Sequence, residues 1–245
     1  MKPMIVVGAG IIGLSCAWRL ALRKIRVTIF DAGSAGGEAS WAGAGMLAPG
    51  GEFAHASPLA PLALTSLALY PEFVDELRRE TGQPIDYREC GAFEIARDDH
   101  EAGELEKRAV CQSALGIRSE PARWASAAAA RFYPDDALVN PRDMVAALRV
   151  ACSANGVIFH EREPVVEVFA DGVRTARATY TDDSVLVAAG AWSSALAAPF
   201  HLPAVSPVRG HLISYEAAPG LLPAILRCGS TYLLQRENGT IVAGS

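Results

Sequence analysis

The N-terminal segment carries the feature that most constrains the fold: a glycine-rich turn placed between a strand and a helix. Met4–Val7 is a short apolar run, typical of a strand buried on both faces. A G-x-G-x-x-G match follows in Gly8–Gly13, and the apolar spacing within Ile11–Lys24 predicts a helix. A second strand-like run, the β-branched and apolar Arg26–Phe30, is followed directly by Asp31. Together these segments predict a βαβ unit.

Each part of this unit has a physical role in binding a dinucleotide. Gly8 permits the tight turn, Gly10 lets the backbone approach a pyrophosphate, and Gly13 lets the helix pack closely on the strand. Free amides and the positive end of the helix dipole at its first turn attract phosphate. Asp31 would accept hydrogen bonds from the adenosine ribose hydroxyls, which disfavours NADP. FAD and NAD both remain open on this evidence.

Two later segments are rich in small residues. In Gly36–Pro49, the small residues of Ala42–Gly45 would let the backbone pass against a flat ring or a phosphate, and Met46 would lie beside the ring. A flexible loop without a ligand fits that composition equally well. In Val187–Trp192, a buried strand ends in small residues, as at the ligand-binding edge of a parallel sheet. A plain strand-to-helix turn is the alternative there.

Composition excludes several classes of protein. The 245 residues are 51% hydrophobic with a formal net charge of −5, which predicts a globular protein that binds neither nucleic acid nor an anionic bilayer. The uncharged run Pro3–Trp18 is too short, and too often interrupted by glycine, for an integral membrane segment or a signal peptide.

Cysteine and histidine spacing argues against a disulfide scaffold and against a metal site. We expect core thiols, surface or loop imidazoles and a reducing, cytoplasmic setting. The residues concerned are Cys16, Cys90, Cys111, Cys152, Cys228, His55, His100, His160, His201 and His211.

The order of elements predicts an α/β fold with α+β insertions. A Rossmann-like βαβ layer, formed by residues 1–52 and 140–200, would be interleaved with a mixed, antiparallel-sheet domain facing the substrate. That second domain would comprise residues 53–139 and 201–245. The patterns also predict helices over 58–81, 98–115, 127–130 and 141–155, and single strands over 173–180 and 184–189. Asp135 and Asp136 are interpreted as loop or cap carboxylates.

The chain closes on a strand-like run, Ile241–Ser245, without a final helix or a polar tail. Native termini are more often polar and exposed. This ending predicts a chain truncated at its C-terminus.

Six motifs in this order resemble the D-amino acid oxidase superfamily of FAD-dependent oxidoreductases, over essentially the whole chain. The similarity is strongest to its glycine oxidase family, which serves thiamine biosynthesis. Each motif is loose, but their ordered set is specific. The motifs are Val7–Gly13, Ala42–Ala48, Val139–Pro141, Val187–Ser193, Pro207–Gly210 and Tyr232–Gly239.

The resemblance implies that FAD is the cofactor and suggests which residues hold it. Tyr232 and Met46 would line the substrate pocket, and no metal is implied. The cofactor-binding residues implied by the motifs and their context are Gly8, Gly10, Ile11, Ile12, Gly13, Asp31, Ala32, Ser40, Ala44, Gly45, Met46, Val165 and Gly190.

The reaction implied by the resemblance is the oxidative deamination of glycine or another small amino acid. Hydride would pass from the α-carbon to flavin N5, oxygen would be reduced to peroxide, and the imine would hydrolyse. An amine dehydrogenase, a sarcosine-type oxidase and an inactive fragment remain alternatives, and a homo-oligomer is compatible with the sequence. Family members carry an arginine that clamps the substrate carboxylate, in a segment not found before Ser245, so the catalytic residues stay unknown.

Overall fold

A computed structural model describes residues 2–196, 200 and 204–245. The described helices are α1 (Ile11–Leu22), α2 (Ala39–Ala42), α3 (Pro49–Glu52), α4 (Ala60–Thr81), α5 (Asp99–Ala114), α6 (Pro141–Ala154) and α7 (Ser193–Leu196). The described strands are β1 (Met4–Val7), β2 (Val27–Phe30), β3 (Met46–Leu47), β4 (Tyr87–Arg88), β5 (Ala92–Ala96), β6 (Glu120–Ala122), β7 (Ala129–Tyr133), β8 (Ala137–Val139), β9 (Ile158–His160), β10 (Val165–Phe169), β11 (Gly172–Thr175), β12 (Thr179–Thr181), β13 (Ser184–Val187), β14 (Leu212–Tyr215), β15 (Ile225–Cys228), β16 (Thr231–Gln235) and β17 (Ile241–Gly244).

The chain divides into two compact units, the first spanning Met1–Gly43, Leu77–Pro84 and Pro141–Arg209. Its main sheet has the strand order β13-β1-β2-β9, and all its pairs are parallel. Helix α1 connects β1 to β2 and packs against α6, and the indole of Trp18 is fully buried. A separate antiparallel sheet joins β10, β11 and β12. This unit is therefore built around a parallel βαβ layer.

The second unit spans Ala44–Glu76, Ile85–Asn140 and Gly210–Ser245. Its seven-stranded sheet has the order β14-β17-β16-β15-β5-β7-β6, in which only β15 and β5 pair in parallel. A small antiparallel sheet joins β3, β8 and β4. The core of this unit gathers Ala44, Ala92, Ile117, Tyr133, Leu138, Ile225 and Leu234.

The predicted fold class is confirmed, since a parallel βαβ layer occurs together with mixed and antiparallel sheets. The bounds of the two compact units differ from the predicted domain bounds at four places: residues 44–52 and 140 belong to the second unit, and residues 77–84 and 204–209 belong to the first. The assignment of one domain to cofactor and the other to substrate stays a prediction. His201, which begins the last predicted segment, lies outside the described residues.

Three secondary-structure predictions differ from the structure. The alanine run 127–130 is no helix, because Ala129 and Ala130 begin β7 and pair with β5. Sheet pairing here overrides the helix propensity of alanine. The predicted strand 173–180 is interrupted, because Thr175 N donates to Ala178 O (2.9 Å) and turns the chain between β11 and β12. The predicted buried strand 184–189 is shorter, and β13 is only half-buried.

Some side chains also lie in other environments than we expected. All five cysteines are free, but only Cys152 is buried, and Cys111 is exposed. His160 belongs to strand β9 and is half-buried, neither a surface nor a loop residue. Asp136 lies in the loop between β7 and β8, as predicted, but it is only 2% exposed and pairs with Arg227. No helix among the described residues combines the length and the apolar character needed to cross a bilayer.

Helix α5 begins at a side-chain cap that can be tested directly. Asp98 accepts a hydrogen bond from Glu101 N (2.9 Å), and the neighbouring Arg97 side chain lowers the pKa of Glu101 to about 2. We expect Asp98→Ala to lower the free energy of unfolding by about 1 kcal/mol, because the cap satisfies a helix-terminal amide. Urea denaturation checks the value. Asp99→Ala is the matched control, since Asp99 is in the same turn but is not the N-cap.

Candidate functional site

The turn after β1 depends on two glycines for different reasons. Gly8 has φ +103°, and a side-chain Cβ there would lie 2.4 Å from Ala188 O. A Cβ at Gly13 would lie only 1.9 Å from Gly8 O, because α1 passes against the turn at that point. Both approaches are too close for any side chain, so these positions fix the local fold.

Gly10 differs from its two neighbours in the motif, because the space beside it is open. Among the described residues other than its chain neighbours, a Cβ at Gly10 would have a single heavy atom within 4 Å, the hydroxyl oxygen of Ser40 at 3.1 Å. That hydroxyl accepts a hydrogen bond from Ile11 N (2.9 Å). The amides of Ile12 and Gly13 follow in the first turn of α1, where N–H groups have no intrahelical acceptor. The turn therefore offers donors beside open space.

Asp31 follows β2 and braces the same turn. Its Oδ2 accepts from Ala9 N (2.7 Å) and its Oδ1 accepts from Gly33 N (2.7 Å), while the neighbouring Ala32 is exposed. A carboxylate has about four acceptor sites. The two remaining sites of Asp31 are enough to accept the two ribose hydroxyls of an adenosine.

Gly190 and Val165 approach this turn from two other segments of the first unit. Gly190 has φ +53° and follows Ala188 and Ala189, the residues that a Cβ on Gly8 would meet. Val165 begins β10 and packs against the core cluster that contains Val7 and Phe30. The structure thus gathers most of the predicted cofactor residues at the carboxyl ends of β1 and β2.

A buried carboxylate supports this region and was missed by the sequence reasoning. Glu163 is 3% exposed and accepts from Thr175 Oγ1 (2.9 Å) and from Tyr180 OH (2.8 Å). Its Oε2 lies 3.1 Å from His160 Nδ1, and its own amide donates to Asp31 O (2.9 Å). Burial by itself raises the pKa of Glu163. The hydrogen bonds from Tyr180, His160 and Thr175, together with the charge of Arg177, have a larger opposite effect, so the pKa is lowered overall. The two residues before it, Glu161 and Arg162, are charged, so no local pattern indicates burial.

The part of the predicted flavin loop that begins at Ala44 lies in the second unit and is held by a buried arginine. Gly45 has φ +83°, and its carbonyl accepts from Val139 N (2.9 Å). Arg236 is 9% exposed; its Nη1 donates to Val139 O (2.9 Å) and its Nη2 donates to Ala44 O. Sequence reasoning also missed this arginine, whose position in a strand-like run gave no sign that it binds two carbonyls.

Tyr232 and Met46, the predicted substrate residues, both pack against the core cluster of the second unit. Tyr232 is half-buried on β16, and burial raises the pKa of its hydroxyl. The phenol therefore stays protonated at neutral pH and can donate a hydrogen bond to a carboxylate.

The residues present fit the diphosphate and the adenosine of a dinucleotide such as FAD. The open face of Gly10, the free amides of α1 and the braced carboxylate of Asp31 are the expected groups. The first turn of α1 contains no acidic residue that would repel phosphate. Among the residues that the structure describes, no cluster of three or more His, Cys, Asp or Glu side chains could hold a metal ion.

Comparisons with known proteins agree with this geometry. The model of the family described as FAD dependent oxidoreductase matches residues 4–245. The glycine oxidase of Geobacillus kaustophilus is 32% identical over 98% of this chain and 68% of its own length. The glycine oxidase of Pseudomonas aeruginosa is also 32% identical, over 100% of this chain and 71% of its own. The Geobacillus crystal structure superposes with a TM-score of 0.93 at 30% identity, over 100% of this chain and 71% of that one.

Proposed function

The chain belongs to the FAD dependent oxidoreductase family, and from this premise we propose that it oxidises glycine or another small amino acid. The likeness to glycine oxidases supports the substrate class. The open, donor-rich face of Gly10 is the observation that carries the cofactor part of the proposal.

The two units would bind different parts of the reacting system. In the first unit, the amides of Ile11 and Ile12 and the hydroxyl of Ser40 would bind the diphosphate, and Asp31 would bind the ribose. Gly190 would allow close approach at the end of β13, and the backbone of Val165 would contact the adenine. In the second unit, Ala44–Met46 would lie along the flavin.

Tyr232 would orient the substrate by donating its hydroxyl hydrogen to the substrate carboxylate. The hydroxyl of a tyrosine is neutral at physiological pH, and partial burial raises the pKa of Tyr232 further. Bound FAD would supply the redox chemistry, namely an acceptor for the hydride of the α-carbon and a donor of electrons to oxygen. The contribution of the protein is to fix the substrate in a reactive orientation.

Purified protein tests this proposal in one experiment. We expect it to retain FAD, to show visible flavin absorbance, and to produce peroxide and ammonia in equal amounts when glycine is added. Reduction of a quinone or a dye without peroxide would identify a dehydrogenase instead. Colourless protein that takes up no added FAD would overturn the proposal.

We further infer a setting for this activity. A role in thiamine biosynthesis, a cytoplasmic location compatible with five free cysteines, oxygen as the electron acceptor and a homo-oligomeric assembly complete the proposal. Growth of a deletion strain with and without thiamine checks the first of these.

A further inference from the structure

Gly244 lies between two large side chains in the sheet of the second unit. On β17 it pairs with Leu212 of β14 on one side and with Tyr232 of β16 on the other. Directly opposed residues of antiparallel strands direct their side chains to the same face. A side chain at position 244 would therefore occupy the space between Leu212 and Tyr232.

The tyrosine ring already fills that space. A Cβ on Gly244 would lie 2.3 Å from both Cζ and the hydroxyl oxygen of Tyr232, and 2.6 Å from Cδ2 of Leu212. Gly244 does not adopt the left-handed backbone conformation, so its lack of a side chain provides space and not conformational freedom. The end of the ring that carries the hydroxyl thus lies over the backbone of β17.

We propose that Gly244 is a positioning residue that sets where the Tyr232 hydroxyl lies, and thereby how tightly the carboxylate of a small amino acid is bound. This inference rests on the proposed role of Tyr232 in binding substrate. An alanine at position 244 would have to displace the ring by roughly 1 Å, since ordinary carbon contacts are about 3.5 Å or longer. The displaced Tyr232 hydroxyl could no longer donate a hydrogen bond to the substrate carboxylate at a favourable distance and angle.

A double-mutant cycle tests whether the absence of a side chain at Gly244 is needed to accommodate the Tyr232 ring. We expect Gly244→Ala to lower Tm by several degrees in the wild-type background and to have little effect in a Tyr232→Ala background, where the ring is absent. The Leu212 contact remains in both backgrounds, but it involves the end of a flexible side chain. Gly103→Ala is the matched control, because a Cβ at Gly103 meets nothing within 4 Å and φ there is not positive.

Steady-state kinetics and flavin titration test whether the position of the Tyr232 hydroxyl affects substrate binding. We expect Gly244→Ala to raise KM for glycine about tenfold, with a smaller change in kcat and an unchanged Kd for FAD. In the Tyr232→Ala background, Gly244→Ala is expected to leave KM for glycine unchanged, because the two substitutions act through the same Tyr232 hydroxyl.

The outcomes separate this proposal from the proposed function. Equal Tm losses in both backgrounds, or a Tm loss in Gly244→Ala with no change in KM for glycine, would overturn the role of Gly244. If the wild-type protein oxidises no amino acid, the proposed function fails, and the Tm cycle then decides whether Gly244 positions the ring: coupled losses support it, and additive losses overturn it.

Discussion

Gly10→Val is expected to abolish FAD retention while leaving the apoprotein folded. The side chain would enter the space beside the first turn of α1, where Ser40 Oγ is the single atom of the described residues, apart from the chain neighbours, within 4 Å of a Cβ. At 3.1 Å this hydroxyl has to move by only a few tenths of an ångström, whereas a diphosphate approaching the Ile11 and Ile12 amides would meet the whole valine side chain. We expect the Kd for FAD to rise at least about 100-fold, equivalent to about 2.7 kcal/mol.

Gly13→Ala provides the contrast for this experiment. Its Cβ would lie 1.9 Å from Gly8 O, so α1 could not pack on the turn, and we expect a loss of about 3 kcal/mol in the free energy of unfolding. Flavin fluorescence titration and thermal denaturation of both variants separate the two effects. Flavin that copurifies undiminished with Gly10→Val would contradict this placement of the diphosphate.

The sequence predicted the βαβ unit because every signal in it is local. The apolar run of β1, the three glycines and the helical spacing of α1 lie within 22 residues, and the structure places each element close to its predicted bounds. Gly156, with positive φ, likewise lies just beyond a predicted helix end. Short-range patterns of this kind are specified by neighbouring residues alone.

The wrong predictions involve partners that are distant in sequence. The alanines that begin β7 are strand residues because β5 supplies their hydrogen bonds, about 35 positions earlier in the chain. Burial of Glu163 depends on Thr175 and Tyr180, which reach it from a separate hairpin. The alanine run by itself favours a helix, so only its pairing with β5 shows that it is a strand.

In the candidate site, too, the features specified by neighbouring residues were predicted, and those that depend on distant residues were not. Gly8, Gly10, Gly13 and Asp31 could be found from a motif whose spacing reflects contact with one ligand. The groups that hold the site in place, such as Glu163 and Arg236, contact backbone and side chains that no motif connects to them. Ligand-binding residues are therefore more visible in this sequence than the residues that support them.

Arg227→Met is expected to cost about 3–5 kcal/mol at neutral pH, because it leaves the buried carboxylate of Asp136 without its cation and removes one of the two arginines beside the buried Glu94. Arg227 Nη1 donates to Asp136 Oδ2 (2.6 Å), and Asp136 otherwise accepts only a long hydrogen bond from Gly50 N (3.4 Å) among the described contacts. Arg227 also lies over the ring of Tyr133, with Cζ 4.8 Å from its centroid. Methionine keeps much of this packing and removes the charge.

The loss of stability in Arg227→Met should depend on pH in a defined direction. Burial raises the pKa of Asp136 above the unfolded value of 3.8, and Arg227 opposes that rise. Without the arginine the folded pKa rises further, so the folded state binds a proton that the unfolded state releases. Stability of the variant is then highest near pH 4 and falls as pH rises through the folded pKa of Asp136.

Asp136→Asn in the Arg227→Met background tests whether the unpaired charge of Asp136 causes the loss of stability. The amide is neutral and can still accept from Gly50 N, so we expect the double variant to recover part of the lost stability and to lose the added pH dependence. Urea denaturation at pH 5 and pH 8 measures both effects. Equal losses for Arg227→Met at the two pH values, with no recovery in the double variant, would mean that the arginine acts through packing on Tyr133 and not through its charge.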